Sequence, residues 1–470
     1  MYPKLGVDWR IKGGVDDRFL LSLDSFSEYS LNNLQSNALL LCDGRKSVEQ
    51  VCGAMNIGSG GFLSFLEGLV KIGAVSMMQS KDDRVVPLVS LSGVNSPYLK
   101  EVHLDITSKC NLSCLHCYQE PYLAKGMSEM STEEVKDVIR RLGEMNVSKL
   151  VISGGEPLLR DDLIEIIDYA FSQGIIVPTI FTNGTVNMEV LNQLCDYGKP
   201  FTLAVSLEGD IASNNDYIRG EGSFLVIMEA VNLILDKQKC GSRVKLVIDT
   251  MTHPLNFERL KRMFVYLSDL GVQRWRISLP RNQGAFIGNA AKLNVDLVKV
   301  LYEYEEFIKW YLDKGAYTSS LNIQIESFFR TALIRKKKVS VFTPDSCCCE
   351  YKKEALTIKP NGDVTACTAF TNMIIGNIAK ETIKDIWFSD RMQTIKRIKV
   401  SEVKECVGCE YLYLCGTGCR RTALADHGSV YAKDSSICEI YAFFHKRIIP
   451  ILANLNLKFQ ETGKTGGDCK

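Results

Sequence analysis

The sequence predicts an α/β protein: a partial (β/α)6 TIM-like barrel, preceded by a small separate unit and followed by a cysteine-rich extension. Three observations carry that expectation. Between residues 101 and about 315, apolar runs of strand length alternate six times with stretches whose apolar residues recur at helical spacing. Repeated βα units imply a parallel sheet, and six of them suit an incomplete barrel. Polar and glycine-rich clusters follow the strands, at the end where barrels keep their chemistry. The seventeen cysteines are unevenly spread, with three within 110–117, nine within 347–438 and five elsewhere.

The 470 residues are 46% hydrophobic, enough for two or three domains with a sizeable core. Fifty-six basic side chains against 55 acidic ones leave a net charge of +1, which gives no reason to expect nucleic acid or an anionic membrane as partner. Arg335-Lys336-Lys337-Lys338 reads as a solvated helix end or loop. No signal peptide opens the chain, and no apolar run approaches the roughly 20 residues that span a bilayer. The expected location is the cytosol. Cysteines in a reducing compartment point to metal or redox work rather than disulfides. Cys42, Cys52, Cys195, Cys240 and Cys469 stand apart and read as buried small hydrophobes or tail residues.

Residues 1–90 form the separate unit. Trp9 to Lys12, Gly13-Gly14, then Arg18 to Leu23 read as strand, turn and strand. Leu34, Ala38 and Leu41 recur at helical spacing; Ser47-Val48-Glu49-Gln50-Val51 starts a second helix, and Phe62 to Val70 a third, stopped by Gly73. Residues 80–97 look like a polar linker ending at Pro97.

The barrel is expected over 98–315, with strands near 102–106, 149–153, 175–181, 202–207, 244–250 and 273–279. Its helices cover roughly 131–145, 160–173, 187–197, 223–238, 256–269 and 295–314. Ser131 and Glu134 make a capping box, and Val135, Val138, Ile139 and Leu142 share one face of the helix that follows. Strand one runs into Cys110-x3-Cys114-x2-Cys117. Three thiolates in one loop can hold three irons of a cubane and leave the fourth without a protein ligand. A zinc knuckle is the bland alternative, but zinc closes its sites with four ligands and no fourth partner lies nearby. Strand two ends in Ser153-Gly154-Gly155-Glu156-Pro157, strand three in Thr182-Asn183-Gly184, strand four in Ser206-Leu207-Glu208-Gly209, followed by Arg219. Glycines allow close backbone approach, and a guanidinium fork suits a carboxylate.

Around 316–345 the chain leaves the βα rhythm as a bridge. In 346–470, Cys347-Cys348-Cys349 precede Cys367 by a hairpin with Pro360-Asn361-Gly362 as its turn. Cys406-x2-Cys409-x5-Cys415-x3-Cys419 and Cys438 follow.

The cysteine loop and the four strand-end motifs behind it resemble the signature of the radical SAM enzymes. The later cysteine series resembles the SPASM domain, which carries two auxiliary [4Fe–4S] clusters. The N-terminal unit is similar to the winged-helix domain that binds leader peptides in peptide-modifying enzymes. That combination resembles the maturases of ribosomally made peptides, especially those forming thioethers (sactipeptides and ranthipeptides).

The resemblance implies S-adenosylmethionine and three [4Fe–4S] clusters as cofactors. Reduction at the cluster of Cys110, Cys114 and Cys117 would yield a 5′-deoxyadenosyl radical. Gly154, Gly155, Glu156 and Pro157 would meet the methionine amino group. Asn183 would approach the cofactor, with Ser206 and Glu208 near the ribose and Arg219 a carboxylate partner. His116 takes the slot where the family often has an aromatic beside adenine. Cys406, Cys409, Cys415 and Cys438 would hold one auxiliary cluster, and Cys349, Cys367 and Cys419 the other, its fourth ligand being Cys347, Cys348 or a substrate thiolate. Thr368 stands where sulfatase-maturing relatives carry an acid, which argues against formylglycine formation. The implied partners are a precursor peptide and an external electron donor such as flavodoxin or ferredoxin. A carbon–carbon crosslink, an epimerisation, a cofactor-tailoring step and a non-catalytic iron–sulfur scaffold are the rival readings.

Overall fold

The computed structural model describes residues 1–14, 17–82, 97–120, 123, 128–326, 328–336, 338–349, 353–371, 373–453 and 458–461. Most of the expected linker, and Cys469, fall outside these residues. The chain opens with β1 (Tyr2–Leu5), β2 (Trp9–Gly13), β3 (Arg18–Ser22) and β4 (Glu28–Leu31). Helices α1 (Asn33–Leu40), α2 (Val48–Met55) and α3 (Ser59–Lys71) follow, then β5 (Val75–Met78), which returns to pair with β1. Capping boxes at Asn32/Gln35 and Ser47/Gln50 start the first two helices. β2, β3 and β4 form an antiparallel meander in that order.

β3 is buried on both faces, which is why Phe19-Leu20-Leu21 is apolar without alternation. Leu20 enters the core of the N-terminal unit with Trp9, Leu39 and Leu66. Phe19 and Leu21 instead pack on Tyr98 and Ile176 of the barrel.

The barrel strands are β6 (Glu101–Asp105), β7 (Lys149–Ser153), β8 (Ile176–Thr182), β9 (Thr202–Ser206), β10 (Lys245–Met251) and β11 (Arg274–Ser278), each parallel to the next. The helices between and after them are α4 (Thr132–Glu144), α5 (Leu163–Ser172), α6 (Met188–Asp196), α7 (Ala212–Arg219), α8 (Ser223–Lys239), α9 (Leu260–Leu270), α10 (Ala285–Leu293) and α11 (Leu297–Asp313). α4 keeps its expected cap at Ser131 and buries Val135, Val138, Ile139 and Leu142. α7 and α10 are additions that the periodicity did not reveal. Both stand on the finishing ends of strands.

The bridge contains more order than expected. β12 (Asn322–Ile325) continues the sheet parallel to β11, and β13 (Phe329–Arg330) folds back on it. α12 (Thr331–Lys336) and β14 (Lys338–Val341) follow. At the opposite edge β15 (Ala355–Ile358) lies parallel to β6, with β16 (Asp363–Thr365) and β17 (Gly376–Asn377) antiparallel beyond it. One eleven-stranded sheet therefore runs from bridge to barrel to extension.

The extension closes with α13 (Ile383–Phe388), α14 (Asp390–Arg397), α15 (Leu412–Cys415), α16 (Arg420–His427), α17 (Ser435–Phe443), α18 (Ile449–Ala453) and β18 (Lys458–Glu461), the last paired with β14. Leu356, Trp387 and Tyr441 share one core with the barrel residues. Among the described residues no helix is long and apolar enough to cross a membrane. Cys42, Cys52 and Cys195 are buried as expected, whereas Cys240, just past the end of α8, is exposed.

Candidate active site

The loop after β6, with Cys110, Cys114 and Cys117, is held against the loop after β7 by backbone bonds. Gly155 N donates to Thr107 O and Glu156 N to Lys109 O, each at 2.8 Å. So close an approach excludes side chains. A Cβ on Gly154 would stand 2.5 Å from Thr107 O, and one on Gly155 would stand 2.1 Å from Lys109 O.

Glu156 is fully buried. Its Oε1 accepts from Leu158 N at 3.0 Å and Thr182 Oγ1 at 2.9 Å, its Oε2 from Asn183 N at 2.6 Å. The carboxylate thus ties the end of β7 to the end of β8, with Pro157 opening a short 3-10 turn. Burial pushes its pKa up to about 7 against those three donors. Asn183 passes the constraint on, its Nδ2 donating to Asn111 Oδ1 at 2.9 Å and toward Cys110 Sγ at 3.6 Å.

A buried ion pair faces the cysteines from the other side. Arg219, the last residue of α7, donates from Nε and Nη2 to Glu208 Oε1 at 3.1 and 2.6 Å, and from Nη1 toward Cys114 Sγ at 3.8 Å. Glu208 Oε2 accepts from Met251 N at 2.6 Å. Burial is the largest influence and would raise the Glu208 pKa; the Arg219 charge, the His116 ring and the Met251 N–H together outweigh it and hold the pKa below the usual carboxylate value. His116 Nε2 lies 3.7 Å from the same carboxylate. Burial drives the His116 pKa down to about 4, so the ring is neutral, and among the described residues its buried Nδ1 has no hydrogen-bond partner. His253 braces the Glu208 carbonyl at 3.2 Å.

These groups surround a cavity of about 330 Å³ at the finishing ends of the strands. His116, Ser206, Glu208 and Arg219 line it, with Asp249, Ser278 and Gln283 beside them. The Gly154–Pro157 turn and Asn183 are not in its lining; they stand behind the cysteine loop as its support. Ser278 closes β11, and Asp249 lies two residues before the end of β10, level with Ser206, so strand-end position alone points to Ser278 but not to Asp249. Thr368 and Ala369 close the cavity from the extension.

A second, fully buried contact joins extension to site. Lys359 Nζ donates to Asp105 Oδ2 and to Gln119 Oε1, both at 2.9 Å, and Gln119 Nε2 returns to Asp105 at 2.7 Å. The extension thereby fixes both ends of the cysteine loop.

The thiols meet in two further groups. Cys406, Cys409, Cys415 and Cys438 are close enough that each neighbouring sulfur adds to the effect of burial, and Cys415 is pushed up to about 12. Cys348, Cys349, Cys415 and Cys419 line one cavity of about 510 Å³; Cys367 and Cys347 do not line it.

The chemistry of the first thiol set suits an iron–sulfur cluster, although among the described residues no three His, Cys, Asp or Glu side chains stand close enough together to hold a metal ion. Cys110, Cys114 and Cys117 perturb one another, and burial first, then their neighbours, pushes Cys117 up to about 11. A guanidinium, an amide and backbone N–H groups point at these sulfurs, as a bound cluster's thiolates require. The orphaned His116 nitrogen marks where a ligand with a donor or acceptor would sit.

Residues 104–266 match the radical SAM superfamily and 348–410 the SPASM iron–sulfur cluster-binding domain. The chain thus carries a region similar to the radical SAM superfamily and, after it, one similar to the SPASM domain. An AdoMet-dependent heme synthase of Nitratidesulfovibrio vulgaris is 26% identical over 355 residues, 72% of this chain and 92% of that one. The mycofactocin maturase MftC of Mycobacterium tuberculosis is 27% identical over 321 residues, 67% of this chain and 76% of that protein. Among solved structures, SuiB of Streptococcus suis bound to its precursor peptide SuiA has a TM-score of 0.67 at 16% identity, covering 93% of this chain and 100% of that one. The anSMEcpe structure with bound AdoMet has a TM-score of 0.60 at 19% identity, covering 76% and 98%. These last two likenesses speak for the fold.

Proposed function

We propose that this chain is a maturase that crosslinks a ribosomally made precursor peptide, joining a cysteine sulfur to a carbon of another residue as a thioether. The observation that carries the peptide is the N-terminal unit. A likeness to SuiB covering 93% of the chain takes in most of this unit, and SuiB was crystallised with its precursor peptide. β4 forms an edge of its sheet and leaves Glu28, Tyr29 and Ser30 exposed, so an extended leader can add a strand there through main-chain bonds. Leader and core then arrive as one chain, which raises the core's effective concentration at the cavity.

When bound, S-adenosylmethionine and three [4Fe–4S] clusters, fed by an external one-electron donor such as flavodoxin or ferredoxin, supply a 5′-deoxyadenosyl radical and a sink for the surplus electron. The chain's own residues hold and exclude. Cys110, Cys114 and Cys117 are the ligands of the first cluster, with the Asn183 amide and the Arg219 guanidinium turned to their sulfurs. Ser206, Glu208 and neutral His116 form the polar wall against which the adenosyl group is oriented. Gly154 and Gly155 allow the backbone contact, and Glu156 keeps the loops in place. Cys406, Cys409, Cys415 and Cys438 hold one auxiliary cluster, and Cys349, Cys367 and Cys419 the other. Thr368 stands in the cavity wall and brings no acid of its own.

A carbon–carbon crosslink is the second reading, and one observation favours it. Cys348 shares its cavity with Cys349 and Cys419. If Cys348 is the fourth ligand, no iron of that cluster is open to a substrate thiolate.

Anaerobic turnover with the short peptide encoded beside the gene, followed by tandem mass spectrometry, separates the outcomes. Loss of two hydrogens with a thiol consumed supports the thioether. The same loss with thiols free supports carbon–carbon bonding. An unmodified peptide, with a tetrapyrrole altered instead, sinks the peptide reading in favour of the chemistry of the heme synthases.

A further inference from the structure

Three cavities meet at one side chain. Arg281, just past β11, lines the chamber that contains His116 and Glu208, the cavity of Cys349 and Cys419, and a third of about 330 Å³ against α10, α16 and α17. Its guanidinium is held from behind. Nη2 donates to Glu326 Oε2 at 3.2 Å, and Glu326 is itself fixed, 7% exposed and accepting the Leu279 N–H. The Glu326 backbone is left-handed, with φ +46°, a conformation that the end of β12 must hold in place.

The front of Arg281 is open. Its side chain is 51% exposed, and among the described residues it makes no hydrogen bond besides the one to Glu326. A guanidinium has five N–H donors in a planar fork, so most of them face the space where the cavities join. The acids around it are engaged elsewhere. Glu208 is paired with Arg219, Asp249 with Arg276, and Asp434 with Cys419 N and Ser436 Oγ. Asp426, in the third cavity, is exposed. Arg330 and Lys336 line the cysteine cavity together with Asp434.

We propose that Arg281 is a specificity-determining residue that receives a carboxylate of the peptide substrate, an Asp or Glu side chain near the modified residue, with Glu326 as its positioning partner. The inference rests on the peptide reading above. A carboxylate takes two parallel N–H···O bonds from the fork, which a backbone carbonyl cannot, and a shared carboxylate would hold the core peptide between the chamber of His116 and the cavity of Cys419.

The test is a library of random dodecapeptides displayed on their mRNA and passed, without oxygen, over the immobilised full-length protein. The wild type should enrich Asp or Glu at one position by about tenfold or more, the factor a charge-assisted hydrogen bond brings. Arg281→Gln should lose that preference while other enriched positions persist, which also shows that the variant is folded. If Arg281→Gln retains no peptide, Arg281→Lys decides: a weakened acid preference supports the proposal, and intact retention without it overturns it. An acid preference that survives Arg281→Gln, or none in the wild type, likewise overturns it while leaving the peptide reading standing. No retained peptide at all removes both.

Discussion

The two ends of the barrel strands are built for opposite purposes. At the starting ends the N-terminal sheet lies flat on the barrel and seals it. Phe19, Leu21, Tyr98 and Ile176 exclude water, and Glu28 bridges Lys100 and Lys149 at 2.8 and 2.7 Å. Even Lys12 is enclosed there, 1% exposed, its Nζ donating to the Val147 carbonyl at 3.0 Å. At the finishing ends, loops cross with glycines at their closest points, thiols converge, and polar groups point into cavities.

Two of the buried lysines make the contrast concrete. Lys359 serves the reactive end and meets the Asp105 carboxylate; Lys12 has a neutral carbonyl. Burial, with Arg10 adding repulsion, lowers the Lys12 pKa to about 7. The N-terminal unit is fastened to the barrel by packing together with ion pairs of Glu28 and Asp24.

Substitutions can break that comparison. The largest effect is expected for Cys114→Ala combined with Cys117→Ala, which should reduce 5′-deoxyadenosine formation below detection while the urea midpoint stays near that of the cluster-free wild type. A large drop in the midpoint would show that the cysteine loop carries stability as well. At the sealed end, Leu21→Ala should cost about 2–5 kcal/mol in urea unfolding, as for other fully buried leucines, with S-adenosylmethionine cleavage per folded molecule unchanged.

Glu156→Gln sets an NH₂ against donors that now meet carboxylate oxygens. It should cost about 1–3 kcal/mol, and the wild type should itself lose stability as pH rises from 4.5 through 7 and then level off, because the folded state prefers the protonated acid. Lys12→Met acts in the alkaline range. Wild-type stability should rise between pH 7 and 10.5, where the unfolded chain still binds the proton that the folded one has released, and the variant should lack that slope.

The strands, the capped α4 and the cysteine and glycine loops were legible in the sequence because each is dictated by local spacing. Parallel strands need apolar runs, and an iron–sulfur loop needs its thiols close in the chain. What remained hidden depends on distant pairing. Ala355–Ile358 reads as one more short strand until Glu101–Leu104 is found beside it. β12 is four residues long with polar Asn322 and Gln324 alternating, so its parallel partner β11, not its composition, decides it. Lys12 in a strand reads as solvent-facing, because only the docked barrel buries it. Glu156 was read for its charge, yet its place is settled by Leu158, Thr182 and Asn183. Arg281 carries no motif, and the meeting of three cavities exists only in the folded chain.

One measurement bears on the whole assignment: 5′-deoxyadenosine formed from S-adenosylmethionine by the anaerobically reconstituted protein under dithionite, with iron and sulfide counted in the same sample. The expected result is brown protein that releases 5′-deoxyadenosine and methionine, and a Cys110→Ala variant that does not. Colourless protein holding zinc, or an iron–sulfur protein that leaves S-adenosylmethionine intact, would contradict it.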